Sequence, residues 1–197
     1  MVDPAMLSLI VLAAGKSTRM RGRNKLLVEI ERKPMIRRVV EAGLKSKVDE
    51  VIVVVGWQGD KIRKALTDLP CRFIVNKNYE KGQSSSVKAG LKGVVEATQA
   101  ILILPGDVAL IDFESINSVI AEYALRKQLI IIAAYKGKPG HPILLDRQLL
   151  AEIEQIDEKT FGLKAVVMNH EAAVRLIETG SPGVLRDIVT PEDLKGL

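Results

Sequence analysis

Short, nearly continuous runs of aliphatic residues recur along this chain, and segments with helical periodicity separate them. The runs cover residues 7–12, 50–55, 72–75, 100–104 and 129–134. A strand with one wet face alternates apolar and polar side chains. Runs that do not alternate predict strands buried on both faces. Helices are predicted over 34–45, with Pro34 in the first turn, and over 60–66, with Asp60 as the cap. Two more are predicted over 84–95 and 115–127, opening on Ser84 and Ser115 as caps. Strand–helix alternation implies a three-layer α/β/α, Rossmann-like fold with a mostly parallel sheet. The last third is less regular, with strands predicted over 142–145 and 173–177, and helices over 148–155 and 163–169. Thr190-Pro191-Glu192-Asp193 reads as a further helix start. No repeat or linker divides the 197 residues, so a single domain over 1–197 is expected.

Composition excludes several classes of function. Apolar residues make up 47%, enough for a substantial core and too many for a disordered chain. The net charge is +5 and aromatics are only 4%, which argues against nucleic acid and suits a small polyphosphate. Residues 7–14 form too short a run to span a membrane, and no basic leader precedes them. The single cysteine, Cys71, reads as a small apolar residue entering a strand. A cytoplasmic location is expected. Many Lys, Arg, Glu and Ile residues with few aromatics are a compositional hint of a thermophile.

In a parallel sheet of this kind ligands bind at the carboxyl ends of the strands, so the loops after the strands carry the function. The first is Leu12-Ala13-Ala14-Gly15-Lys16-Ser17-Thr18-Arg19-Met20, with Lys25 a few residues on. Small residues let a ligand approach the main chain, whose N–H groups can meet phosphate oxygens. Ser17 adds a hydroxyl, and Arg19 and Lys25 add fixed positive charge. The spacing is not that of a Walker loop, which disfavours a kinase-type NTPase. The three-glycine dinucleotide fingerprint is also missing. After the fourth strand, Gly106-Asp107 sets a carboxylate at the ligand edge, a candidate for holding Mg²⁺ on an α-phosphate. Gly82-Gln83-Ser84 opens a helix whose free N–H groups and serines suit a ribose, base edge or phosphate. Trp57, after the second strand, is a candidate base or pterin contact.

The first loop resembles the signature of the molybdopterin-nucleotidyltransferase-like superfamily. That signature is an apolar strand, then Leu-Ala-Ala/Gly-Gly, Ser, Arg-Met and a downstream Lys. It is met here by Leu12 to Gly15, Ser17, Arg19-Met20 and Lys25. The resemblance implies a fold of the nucleotide-diphospho-sugar transferase type. It implies a turn facing the base, with Arg19 and Lys25 on the phosphates, and Gly82, Gln83 and Ser84 against the nucleotide. It also implies Asp107 on the metal. The closing segment Asp187-Ile188-Val189-Thr190-Pro191-Glu192-Asp193 is similar to the family's Asp-x-Asp-Thr-Pro-Glu-Asp. Asp187 matches the first acid and is a second candidate metal ligand, whereas Val189 replaces the second acid. Gly140-His141-Pro142 resembles the cytidylyltransferase branch, which makes His141 a candidate cofactor-binding residue.

The expected reaction is transfer of CMP from CTP to molybdopterin cofactor, with release of pyrophosphate. A methyl group at Ala14 would crowd a purine and favour a pyrimidine. The phosphorylated acceptor could instead be a sugar phosphate, a methylerythritol phosphate or a cobinamide phosphate, with GTP as another donor. A further alternative is a non-catalytic nucleotide or cofactor chaperone that serves a molybdoenzyme. All these readings require Lys25 and Asp107 to converge on one cleft.

Overall fold

The computed structural model describes residues 6–18, 22–188 and 193. A seven-stranded sheet contains β1 (Met6–Ala13), β4 (Glu50–Val55), β5 (Arg72–Val75), β6 (Thr98–Pro105), β7 (Ile130–Tyr135), β8 (Lys138–Asp146) and β9 (Val174–Glu178). Their order is β5-β4-β1-β6-β8-β7-β9. Only β8 runs against the rest, pairing antiparallel with both β6 and β7. The aliphatic runs are buried as their lack of alternation predicts: β1 is enclosed from Leu7 to Ala13 and β4 from Val51 to Val55.

Period-two geometry sends successive side chains of β1 to opposite faces. Leu7, Leu9, Val11 and Ala13 join one core with α1 (Met35–Lys45), α2 (Gly59–Ala65) and α4 (Phe113–Arg126). Ile10, Leu12 and Ala14 join a second core with α3 (Gln83–Leu91), α5 (Leu150–Ile153) and α6 (Leu163–Asn169). Helices therefore cover both faces, as expected for an α/β/α sandwich. A small hairpin, β2 (Glu29–Ile30) and β3 (Lys33–Pro34), was not foreseen. Its turn residues Glu31 and Arg32 both take positive φ, and neither is the Gly or Asn that marks such turns in a sequence.

The helix starts correct four expectations. α1 begins after Pro34, with no side-chain cap. Its stripe of Met35, Ile36, Val39 and Val40 is fully buried. Burial of one such side chain is worth about 1.5–3 kcal/mol, against roughly 1 for a cap, so packing sets this helix. α2 follows Gln58 rather than being capped by Asp60, which lies inside its first turn. α4 is capped by Asp112, whose side chain accepts the Ser115 N–H, so Ser115 is an interior residue. α3 starts at Gln83 behind Gly82 and is also shorter than predicted. The predicted helix over 148–155 is a 3-10 turn, Arg147–Leu149, followed by the short α5.

The chain turns back at the centre of the sheet. It runs outward from β1 through β4 to β5, then crosses to β6 on the other side of β1. That reversal opens a crevice beyond the carboxyl ends of β1 and β6.

Candidate active site

A cleft of about 450 Å³ occupies this crevice. Its floor is the ends of β1 and β6, contributing Leu12, Ala14, Gly15, Pro105 and Asp107. Lys25 and Leu26, in a 3-10 turn after the first loop, close one end. Tyr79, Gly82, Gln83 and Ser86, from the turn before α3 and its first residues, form one wall. His141 from β8 and Asp187 from the closing segment form the opposite wall.

The first loop is held by its own chemistry. Ser17 takes a positive φ, and its Oγ accepts the Lys25 N–H at 3.2 Å. The hydroxyl expected to serve a ligand thus also ties the loop to the turn that carries Lys25. Asn24 caps that turn by accepting the Leu26 N–H. The Lys25 ammonium donates to the Asp107 carboxylate, and both side chains are mostly buried. The two residues are 82 positions apart in sequence. Gly15 has open space where a Cβ would stand, so its main chain faces the cleft freely.

Gly56 carries no side chain for a different reason. A Cβ there would lie 2.8 Å from the Ala14 carbonyl oxygen and 2.9 Å from the Ala14 methyl. The loop after β4 is consequently pressed against the first loop, and the Trp57 N–H donates to the Ala14 carbonyl. The indole itself is half-buried and does not line the cleft, so its predicted contact with a base is not formed by this arrangement.

The wall before α3 depends on a residue far away in sequence. Glu158 Oε1 accepts the Ser84 N–H at 2.5 Å, supplying α3 with the cap its own sequence lacks. The Glu158 side chain also fills the position a Cβ on Gly82 would need, and Gly82 has φ +95. Gly82 and Gln83 line the cleft, but Ser84 does not. Its Oγ is buried outside the cleft with no partner among the described residues. Ser86, one helical step on, faces the cleft and accepts a hydrogen bond from Asn76. Local sequence carries no sign of Glu158, because its partner lies 74 positions away.

Asp187 is brought beside Asp107 by the main chain, since the Ile188 N–H donates to the Asp107 carbonyl at 3.1 Å. Loss of water contact, and then the negative charge of Asp107, push its carboxyl above the usual range, with Lys25 opposing. His141 is pushed down to about 4 by burial, against the pull of Asp107, and is neutral near pH 7. Ala13 points away from the cleft into the core shared with α1. Arg19, Val189 and Thr190-Pro191-Glu192 lie outside the described residues. Among those described, no group of three or more His, Cys, Asp or Glu residues converges. No described helix is long and apolar enough to cross a membrane.

A mostly parallel sheet brings a small-residue loop and the Lys25–Asp107 pair together at its switch point, an arrangement that suits a nucleotide-binding enzyme. The chain belongs to the MobA-like NTP transferase domain family, whose model matches residues 9–174. It is 26% identical over 185 residues to the molybdenum cofactor cytidylyltransferase of Escherichia coli, covering 93% of this chain and 91% of that protein. It is 34% identical over 114 residues to the bifunctional protein GlmU of Desulfotalea psychrophila, but covers only 33% of that longer protein. A Methanothermobacter nucleotidyl transferase has the same fold, with a TM-score of 0.82 at 23% identity over 96% of this chain and 94% of that one.

Proposed function

We propose that this protein transfers CMP from CTP to molybdopterin cofactor and releases pyrophosphate. The observation that carries this reading is the meeting of Lys25 and Asp107 inside a cleft at the switch point. One cation and one carboxylate, from different strand ends, are what a triphosphate and its metal require. The relative from Escherichia coli, which this chain matches over most of both lengths, supports the choice of nucleotide and acceptor.

Each residue then has a part. The main chain at Gly15 and the side chains of Lys25 and Arg19 bind the β- and γ-phosphates and the departing pyrophosphate. Gly82, Gln83 and Ser86 lie against the nucleoside. Ala14 is almost fully buried in the wall, and its methyl narrows the space for a base. Asp107 and Asp187 suit Mg²⁺. Burial, and then the charge of Asp107, raise the Asp187 carboxyl, and a hard dication held by both carboxylates would relieve that cost. When bound, the metal supplies charge neutralisation at the α-phosphate. With a cation on Asp107, Lys25 would be free to meet phosphate oxygens. The acceptor phosphate is anionic and needs no general base, so positioning and electrostatics carry the chemistry.

A thermal-shift panel of CTP, GTP, ATP and UTP with Mg²⁺ tests the donor, because a ligand of the folded state raises its melting temperature. CTP should give the largest shift, and a larger shift with GTP overturns the cytidylyl assignment. Pyrophosphate release with CTP and molybdopterin tests the acceptor. Sugar phosphate, methylerythritol phosphate and cobinamide phosphate serve as competing arms, and release with one of these alone would reassign the acceptor.

A further inference from the structure

His141 lies in the wall of the cleft and makes no hydrogen bond within the described part of the protein. Its Nδ1 is buried without a partner. A buried polar atom left unpaired costs about 1–3 kcal/mol, so it calls for a partner that the fold does not supply. Three other described side chains carry such an atom, from Asn24, Ser84 and Ser115. None of these three lines the cleft.

The sheet order fixes which reactant His141 meets. The first loop follows β1, Asp107 follows β6, and β8 lies on the far side of β6. Within β8, Ile143 pairs with Ile103, so His141 stands beside the end of β6. Asp107 therefore sits between the first loop on one side and His141 on the other. Displacement at the α-phosphorus proceeds in line, with the incoming and leaving oxygens on opposite sides. Pyrophosphate departs toward the first loop, so the incoming phosphate must arrive from the side of His141.

We propose that His141 is the residue that positions the acceptor, donating one imidazole N–H to a non-attacking oxygen of the acceptor's terminal phosphate. This rests on the nucleotidyl-transfer reading above but not on the identity of the acceptor. The new P–O bond forms from another oxygen of that phosphate, the bond to pyrophosphate breaks, and no proton leaves the imidazole. The reading also accounts for a buried Nδ1 that has no partner among the described residues.

The protein contains only two histidines, so ¹⁵N-labelled imidazole signals can be assigned with a single His170→Gln control. The full chain is saturated with Mg²⁺ and a non-hydrolysable analogue of whichever nucleotide gives the largest thermal shift. Methyl phosphate, the simplest phosphomonoester, is then titrated in. The His141 ring nitrogens should shift with methyl phosphate and not with the nucleotide analogue alone. A shift complete on nucleotide alone, or no shift with either, overturns the proposal. In turnover, His141→Phe should lower kcat/KM for the acceptor by about 10-fold or more and leave the KM for nucleotide within about twofold. His141→Asn, which keeps an N–H near Nδ1, should recover part of the loss. Equal effects on both substrates would indicate a structural role and also overturn it. Failure of CTP or molybdopterin as substrates, with the methyl phosphate response intact, would instead reject the substrates assigned above and leave His141 in place.

Discussion

The two sides of the cleft are built on different terms. On the side of the first loop the charged groups and the Ser17 hydroxyl already have partners: Ser17 holds the Lys25 main chain, Lys25 pairs with Asp107, and the exposed Lys16 pairs with Glu80 at 2.5 Å. On the side of β8 and the closing segment this is not so. Among the described residues His141 has no hydrogen bond, and Asp187 is raised by burial and then by the carboxylate it faces. A self-paired side keeps its shape before any ligand arrives, whereas an unpaired side stores electrostatic cost until a ligand or metal relieves it. The difference suits an ordered reaction in which the nucleotide meets a prepared surface and the metal and acceptor complete the other.

The largest break in this comparison should come from Asp107, which belongs to both sides. Asp107→Ala removes the partner of Lys25 and a metal ligand together. Pyrophosphate release should fall by at least about 100-fold. Far-UV circular dichroism should remain that of the folded protein, because Asp107 lies in a loop at the sheet edge. Full activity in this variant would remove Asp107 from the chemistry. Next in size is Gly82→Ala. The added methyl would occupy the place of the Glu158 side chain at a positive φ. The expected cost is about 1–3 kcal/mol in urea unfolding, with weaker nucleotide binding by titration calorimetry. An unchanged midpoint and affinity would mean that the wall before α3 is not held as described.

Glu158→Ala should act on the same wall more gently. It leaves the Ser84 N–H and the start of α3 without an acceptor, a loss of about 0.5–2 kcal/mol typical of a missing cap. The KM for nucleotide should rise severalfold with little change in kcat, and Glu158→Gln, which keeps an acceptor oxygen, should restore most of it. An effect on kcat alone would separate Glu158 from nucleotide placement.

The two sides also differ in how far the sequence announces them. The central strands were legible because runs such as 50–55 and 100–104 are buried on both faces and show no alternation. The switch point follows from strand–helix alternation, and the first loop and Asp107 lie directly after β1 and β6. The prepared side of the cleft is therefore written in local sequence. What was illegible depends on distance. Glu158 serves as a cap for α3 through a hydrogen bond across 74 positions, so Ser84 looked like the cap and its side chain was wrongly directed at the ligand. Asp112 displaced Ser115 for a local reason, since either residue could open the helix and only Asp112 accepts the Ser115 N–H. The β2–β3 hairpin was missed because Glu31 and Arg32 adopt a conformation that their side chains do not advertise. Ser86 was passed over because the helical phase of α3, which points it at the cleft and Ser84 away, depends on where that helix begins.

The smallest effect, and the most specific to the unpaired side, is expected from Asp187→Asn. A carboxyl whose pKa is raised by folding binds protons more readily in the native than in the unfolded state. Its contribution to stability therefore falls as pH rises, beginning near the ordinary aspartate value of 3.8 and ending above the raised native value. Near pH 7 the ionised side chain is a small liability to the metal-free protein. Replacing it by asparagine keeps the shape and removes the repulsion with Asp107. Without metal, the variant should melt slightly higher than the wild type at pH 7, and the two should converge near pH 3. With nucleotide and Mg²⁺ the order should reverse, because the charge that cost stability is the one that holds the cation. A variant less stable than wild type in both conditions would show that Asp187 serves packing alone. A variant more stable in both would separate it from the metal and leave that role to Asp107 among the two carboxylates described in the cleft.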